Sequence, residues 1–161
     1  MMQSMEFSLE QLPQVAEQVV TKIHQSLSQD HATLVTFSGD LGAGKTTLIK
    51  EIAKQLGVTD DLQSPTYVIY KRYSTSPRFA KGEVDPLLIQ GEGIQTVIHA
   101  DMYRLESSDE ILKLGWNELL ADPKNILLVE WPEKVADVIP DWTVKVILQH
   151  KGDLLRRVDI V

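Results

Sequence analysis

The chain has no cysteine among its 161 residues. Disulfides, thiolate metal sites and cysteine nucleophiles are therefore excluded. Basic charge is scarce: 16 Lys and Arg stand against 23 Asp and Glu, for a net charge of −7. Phosphate backbones reward the opposite balance, so extensive nucleic-acid contact by this chain alone is not expected. Lys151, Arg156 and Arg157 form the only dense basic cluster. No apolar run approaches the roughly 18 residues of a membrane helix. The N-terminal MMQSMEFSLEQLPQ has neither the basic lead nor the apolar core of a secretory signal. Internal repeats and low-complexity tracts are missing as well. Together these absences predict a cytoplasmic protein without membrane or disulfide-linked partners.

What is present reads as one globular domain spanning 1–161. Apolar content of 43% and charged content of 24% are ordinary for that class. The length suffices to bury about two-thirds of the unfolded surface without covalent staples. Leu12, Val15, Val19, Ile23 and Leu27 recur at three- and four-residue steps, which predicts a helix over 12–27. Residues 32–38 read as an apolar strand and 46–56 as a helix capped by Gly57. Strands are predicted over 67–73, 94–100 and 125–129, and a helix over 109–120 with Ser107 or Ser108 as its N-cap. A short helix is expected over 132–138, and a terminal hairpin from 142–149 and 154–161. Residues 74–95 read as a long loop or hairpin insertion. Strands alternating with helices predict an α/β fold with a central, mostly parallel sheet and helices on both faces.

Between the strand at 32–38 and the helix at 46–56 lies Gly39-Asp40-Leu41-Gly42-Ala43-Gly44-Lys45-Thr46. It matches G-x-x-x-x-G-K-[ST] in full. Each fixed residue type has a chemical reason. Glycines let backbone N–H groups converge on phosphate oxygens. The following helix points its positive end at the same place. A lysine adds charge to the outer phosphates, and a hydroxyl ligates Mg²⁺. A chance match in a chain of this length is on the order of half a per cent, so the segment is read as a nucleotide-binding loop.

Such a site also needs a carboxylate at a strand end to hold Mg²⁺ or order water. Two compete: Glu130 ends ILLVE and Asp101 ends TVIHAD. Ligands gather at the carboxyl ends of parallel strands, which favours both over plain surface acids. Thr66 in SPTY is a turn residue after Pro65 on the stretch alone, and a switch threonine on the alternative reading. His99 shares a face with Asp101 if the segment is extended, though a lone strand histidine is more often packing or surface than catalysis. Arg104 is a phosphate contact or an exposed ion pair. Trp131, next to Glu130, is core or a neighbour of the nucleotide.

GDLGAGKTTL, SPTY, HADMYRL and VEWPEK, in that order, resemble the bacterial TsaE family, small ATPases needed to make threonylcarbamoyladenosine in tRNA. LGWNELL also resembles the family's segment after the third block. The resemblance covers most of residues 33–140. It implies a P-loop domain that binds ATP with Mg²⁺ and hydrolyses it slowly. It puts Thr46 and Glu130 in the positions of the magnesium ligands, and Gly42, Ala43, Gly44, Lys45, Thr46 and Thr47 in the phosphate-contacting positions. Asp101 takes the place of an acid required for activity, and Ser64 to Tyr67 that of a switch-like loop. Implied partners are TsaD- and TsaB-like proteins, with tRNA met indirectly through their complex. The segment 74–95 is longer than the family pattern, and the region around Gln11 and Leu12 lacks the hydroxyl expected there, so no nucleotide contact is assigned to it. A small-molecule or nucleoside kinase is the alternative reading. A GTP switch lacks support, because no Asn-Lys-x-Asp segment occurs.

Overall fold

The computed structural model describes residues 2–75 and 94–161. Its seven strands are β1 (Gln3–Phe7), β2 (Thr33–Ser38), β3 (Tyr70–Ser74), β4 (Thr96–Asp101), β5 (Asn125–Glu130), β6 (Val144–His150) and β7 (Arg156–Ile160). They form one sheet in the order β1-β7-β6-β2-β5-β4-β3. The central strands β6, β2, β5 and β4 run parallel. The flanking strands β3, β7 and β1 pair antiparallel. The expected α/β architecture with a mostly parallel centre and a terminal hairpin is thus observed.

Side-chain alternation divides the core into two layers. Val35 and Phe37 of β2, Ile126 and Leu128 of β5, and Val97 of β4 face α1 (Leu12–Gln25) and α2 (Lys45–Gln55). Leu34, Leu127, Val129, Ile98 and Ala100 face α3 (Ser108–Lys113) and α4 (Trp116–Ala121). Buried on both sides, β5 is apolar from Ile126 to Val129 and ends on Glu130.

Three expectations need correction. The helix predicted over 109–120 is two helices, because Gly115 takes φ +87 and breaks the hydrogen-bond ladder between them. The strand predicted from Tyr67 begins at Tyr70, since Val68 N–H closes a turn onto Pro65 O and Ile69 holds φ +70. β1 was not expected at all. Its QSMEF has one buried side chain, Phe7, and is held at the sheet edge by pairing with β7. Ser107 caps α3, with Glu110 reaching back to its N–H. The insertion expected over 74–95 falls largely outside the described residues. Its described ends meet, Thr75 N–H donating to Gln95 O at 3.1 Å. Among the described residues, no helix is long and apolar enough to cross a membrane.

Candidate functional site

The loop after β2 is shaped by its glycines. Gly39 has φ +140 and sits so close to β6 that a Cβ there would lie 2.2 Å from Leu148 O. Gly44, at φ +101, is the N-cap of α2. Leu48 N–H makes the first helical bond, to Gly44 O at 3.0 Å. The amides of Lys45, Thr46 and Thr47 therefore have no carbonyl within the helix to bond. Ala43 N–H differs: it is committed to Asp40 O at 3.0 Å. Lys45 Nζ folds back to donate to Gly39 O and Asp40 O, and lies 4.1 Å from the centroid of the Trp131 ring.

β5 brings the acid. Alternation places Glu130 on the face of Leu128, the side on which α2 lies, so its carboxylate meets the start of that helix. Thr46 Oγ1 donates to Glu130 Oε1 at 2.7 Å. The other oxygen, Oε2, lies 2.9 Å from Nε2 of His99, a residue with no solvent exposure. His99 Nδ1 is buried without a hydrogen-bond partner among the described residues. The pairing therefore favours the Nε2–H tautomer, which donates to the carboxylate. The histidine read from sequence as more often packing or surface than catalysis is the side chain that holds Glu130.

β4 lies beside β5 in parallel, with Asp101 opposite Glu130. Asp101 accepts from Thr66 Oγ1 at 2.9 Å and from Tyr103 N–H at 2.9 Å. Ser64 Oγ lies 2.8 Å from Thr66 Oγ1. The SPTY segment is thus drawn onto Asp101, and Asp101 N–H donates to Ile69 O at 2.8 Å. Ile69 and Trp131 are the two non-glycine residues with positive φ among the described residues. Each flanks one of the two acids, the kind of place where backbone strain collects at functional sites. Arg104 has its guanidinium 4.2 Å from the centroid of the Tyr67 ring, at the rim.

Lys45, Glu130 and Asp101 are all buried. Burial lowers the Lys45 pKa from its ordinary value, against the opposing pull of Glu130, Glu133, Asp101 and Asp40. The arrangement is an ammonium, a hydroxyl–carboxylate pair and a second carboxylate around a helix start with open amides. A cavity of about 680 Å³ adjoins it, lined by Thr47, Lys50, Glu51, Leu12, Val58 and Asp61 among others.

The family model described as threonylcarbamoyl adenosine biosynthesis protein TsaE matches residues 8–158. The chain belongs to the TsaE family. Its relatives include the tRNA threonylcarbamoyladenosine biosynthesis protein TsaE of Bacillus subtilis, 32% identical over 74% of this chain and 63% of that protein. The chain's match thus spans somewhat under two-thirds of that relative's length. The TsaE protein of Haemophilus influenzae is 26% identical over 97% of this chain and 84% of its own. That of Rickettsia bellii is 34% identical over 74% and 71%. The crystal structure of Bacillus subtilis YdiB superposes with a TM-score of 0.58 at 21% identity, covering 99% of this chain and 86% of that one. That likeness supports the fold. Within this TsaE-family chain, every residue singled out from the sequence as catalytic or metal-binding falls in one cluster: Lys45, Thr46, Thr66, Asp101 and Glu130. His99 was weighed and set aside. Only the strand register, which lays β4 against β5, reveals its role.

Proposed function

We propose that this TsaE-family protein binds ATP with Mg²⁺ at the Gly39–Thr46 loop and hydrolyses it slowly. It does so as an accessory to threonylcarbamoyladenosine modification of tRNA, in the cytoplasm, with TsaD- and TsaB-like partners. The observation that carries the reading is the Thr46 hydroxyl 2.7 Å from the Glu130 carboxylate, across the mouth of α2. Family membership favours it over the kinase alternative.

The donor set fits a small hard cation. Both groups offer oxygen, and among the described residues no cluster of three or more His, Cys, Asp or Glu forms a full protein cage. Mg²⁺ is commonly held by one or two protein oxygens together with phosphates and water. Thr46 and Glu130 would hold it, Glu130 directly or through water. When bound, the ion would offset charge on the outer phosphates as the terminal bond breaks.

The chain's own groups supply the rest. Amide N–H groups from Gly42 to Thr47 donate to phosphate oxygens, that of Ala43 leaving Asp40 O to do so. Lys45, poorly hydrated in its buried position, exchanges the carbonyls of Gly39 and Asp40 for the phosphates. His99 keeps Glu130 turned towards Thr46. Asp101, fixed by Thr66 and Tyr103 N–H, orients the attacking water. That water's oxygen bonds to the γ-phosphorus as the bond to the bridging oxygen breaks, giving ADP and phosphate. The cavity beside Thr47 has room for the nucleoside. Turnover by the isolated chain is slow on this reading, because Arg104 is engaged with Tyr67 rather than aimed at the loop. A finger arginine is worth about 10³–10⁵ in rate.

The test is complementation of a bacterial strain depleted of its own TsaE protein, scored by threonylcarbamoyladenosine in its tRNA. Restoration is expected. Its absence with well-expressed, ATP-binding protein contradicts the proposal.

A further inference from the structure

On the face of the sheet away from α1 and α2, a cavity of about 340 Å³ opens between β2, β6 and the 3₁₀ segment Pro132–Val138. The nucleotide site makes no use of it. Its floor is a parallel register, with Thr36 of β2 opposite Lys145 of β6 and Ser38 opposite Ile147. Alternation turns these four side chains to the face of Leu34, away from that of Val35, Val144 and Val146. Pro132, Ala136, Ile139 and Pro140 form an apolar wall, with Glu133 and Asp141 on its rim. The wall is fixed from behind. Trp116 Nε1 donates to Val138 O at 3.0 Å, and the Ser108 hydroxyl donates to Asp137. Thr143 Oγ1 donates to Pro140 O at 2.7 Å. These bonds hold the cavity as part of the fold.

The floor carries an unmet polar group. Thr36 is 3% exposed, yet its hydroxyl has no hydrogen-bond partner among the described residues. Shielding a hydroxyl from water without a partner is costly, and a valine would fill the same space without that cost. The cavity that Thr36 lines is where a partner can reach it. Ser38, Lys145, Glu133 and Asp141 also make no side-chain hydrogen bond or ion pair among the described residues.

These groups are laid out along the strands. Thr36 and Lys145 mark one end of the floor. Trp131 N–H donates to Phe37 O at 3.3 Å, so Pro132 and Glu133 leave the sheet at the level of Ser38, the other end. The ends are two residues apart along β2, about 6–7 Å. That leaves room for a carboxylate and an ammonium on one carbon, with a hydrogen bond at each end. A purely cationic ligand would leave Lys145 unmatched, and a purely anionic one would leave Glu133 unmatched.

We propose that this cavity is a second ligand site, for a free α-amino acid with an apolar side chain. Its carboxylate takes the Lys145 ammonium and the Thr36 hydroxyl. Its ammonium takes Glu133 and the Ser38 hydroxyl, and its side chain lies against Ile139 and Pro140. Asp141 is exposed and does not pair with Lys145, so the Lys145 ammonium stays available. The inference is independent of the ATP reading.

The test is a chemical-shift titration of the full chain with alanine, valine and leucine. At least one is expected to bind with a Kd of about 1 mM or tighter. Its decarboxylated amine and its deaminated acid, each lacking one charge, are expected to bind at least about tenfold more weakly. Thr36→Val and Lys145→Met are each expected to weaken the amino acid about 10- to 100-fold, the range for losing a hydrogen bond to a charged group. The urea midpoint of Thr36→Val is expected to be unchanged or raised, because its hydroxyl satisfies nothing in the fold. No binding of any of the three at about 10 mM overturns the proposal. So does an amine that binds as well as its amino acid, or a Thr36→Val chain with unchanged affinity or a lowered midpoint. Shifts centred on Gly39–Thr46 rather than on Thr36 and Ile147 overturn it too, because the amino acid then sits at the nucleotide loop. If Lys145→Met does not fold, Thr36→Val decides.

Discussion

At the scale of single residues, the proposed mechanism separates holding from reacting. Lys45 is buried against the loop and its ordinary charge is opposed by desolvation. Phosphate oxygens would replace the hydration it lacks. Lys45→Ala is therefore expected to weaken ATP binding about 10- to 100-fold, as for loss of a charge-assisted bond. Asp101 makes its hydrogen bonds to Thr66 and Tyr103 rather than to a loop amide. Asp101→Asn is expected to leave ATP affinity within about twofold and remove at least 90% of turnover, roughly the lower end of general acid–base and water-positioning effects. Isothermal titration alongside phosphate release measures both. Loss of binding and turnover together in Asp101→Asn would contradict the division of roles.

A second carboxylate matters for the fold rather than the site. The Ser4 hydroxyl donates to Asp159 Oδ1 across the β1–β7 pair, at positions directly opposite in register. That bond lowers the Asp159 pKa, with Arg157 assisting and burial opposing. The folded chain thus keeps this carboxylate ionised to lower pH than the unfolded chain does. As pH falls, the unfolded state takes up the proton first. The contribution is present above the ordinary carboxylate range and is lost as pH falls through the lowered value. Ser4→Ala is expected to raise the Asp159 pKa and flatten the acid side of the stability profile. Carboxyl NMR titration with urea unfolding across the acid range checks this; an unmoved Asp159 titration would contradict it.

At the scale of elements, β6 sets the shape of the loop. Gly39 is pressed against the backbone of Leu148, whereas a Cβ at Gly42, with φ +77, would meet nothing within 4 Å. Gly42→Ala carries only the left-handed penalty of about 1–2 kcal/mol. Gly39→Ala adds a collision with a carbonyl that cannot swing aside, and is expected to cost more than about 3 kcal/mol. Urea midpoints of the two variants compare them directly, and equal losses would contradict the loop–strand contact. Much of this element layout was legible in the sequence. β2, the loop, α2 and β5 are announced by glycines, a lysine and an unbroken apolar run. β1 was not, because an edge strand with one buried side chain has almost no apolar signature. The break at Gly115 was hidden within a helical pattern that continues on both sides. In the site, Thr46, Asp101 and Glu130 were legible as loop and strand-end residues. The His99–Glu130 bond was not, since it depends on which strand lies beside which. Nor was the approach of Arg156, which depends on a hairpin packing against a loop more than 100 residues earlier.

At the scale of the whole molecule, one sheet gathers three chemical contributions onto one end. β2 delivers the loop, β5 and β4 deliver the carboxylates, and β7 places Arg156 beside Gly44 from the far flank. The net charge of −7 suits the proposed role, in which partner proteins rather than this chain make the main contacts to tRNA. The central claim is that the loop and Glu130 together form a Mg²⁺-dependent ATP site. On the proposed mechanism Trp131 is a built-in reporter, because its ring lies 4.1 Å from the Lys45 ammonium that would move when phosphate binds. The decisive measurement is a fluorescence titration with ATP, with and without Mg²⁺, on the unmutated chain and on Glu130→Gln, with Trp131→Phe as the signal control. The account predicts a Trp131-dependent change with ATP, tightened by Mg²⁺ in the unmutated chain and insensitive to Mg²⁺ in Glu130→Gln. No response to ATP, or the same Mg²⁺ effect in both proteins, would contradict it.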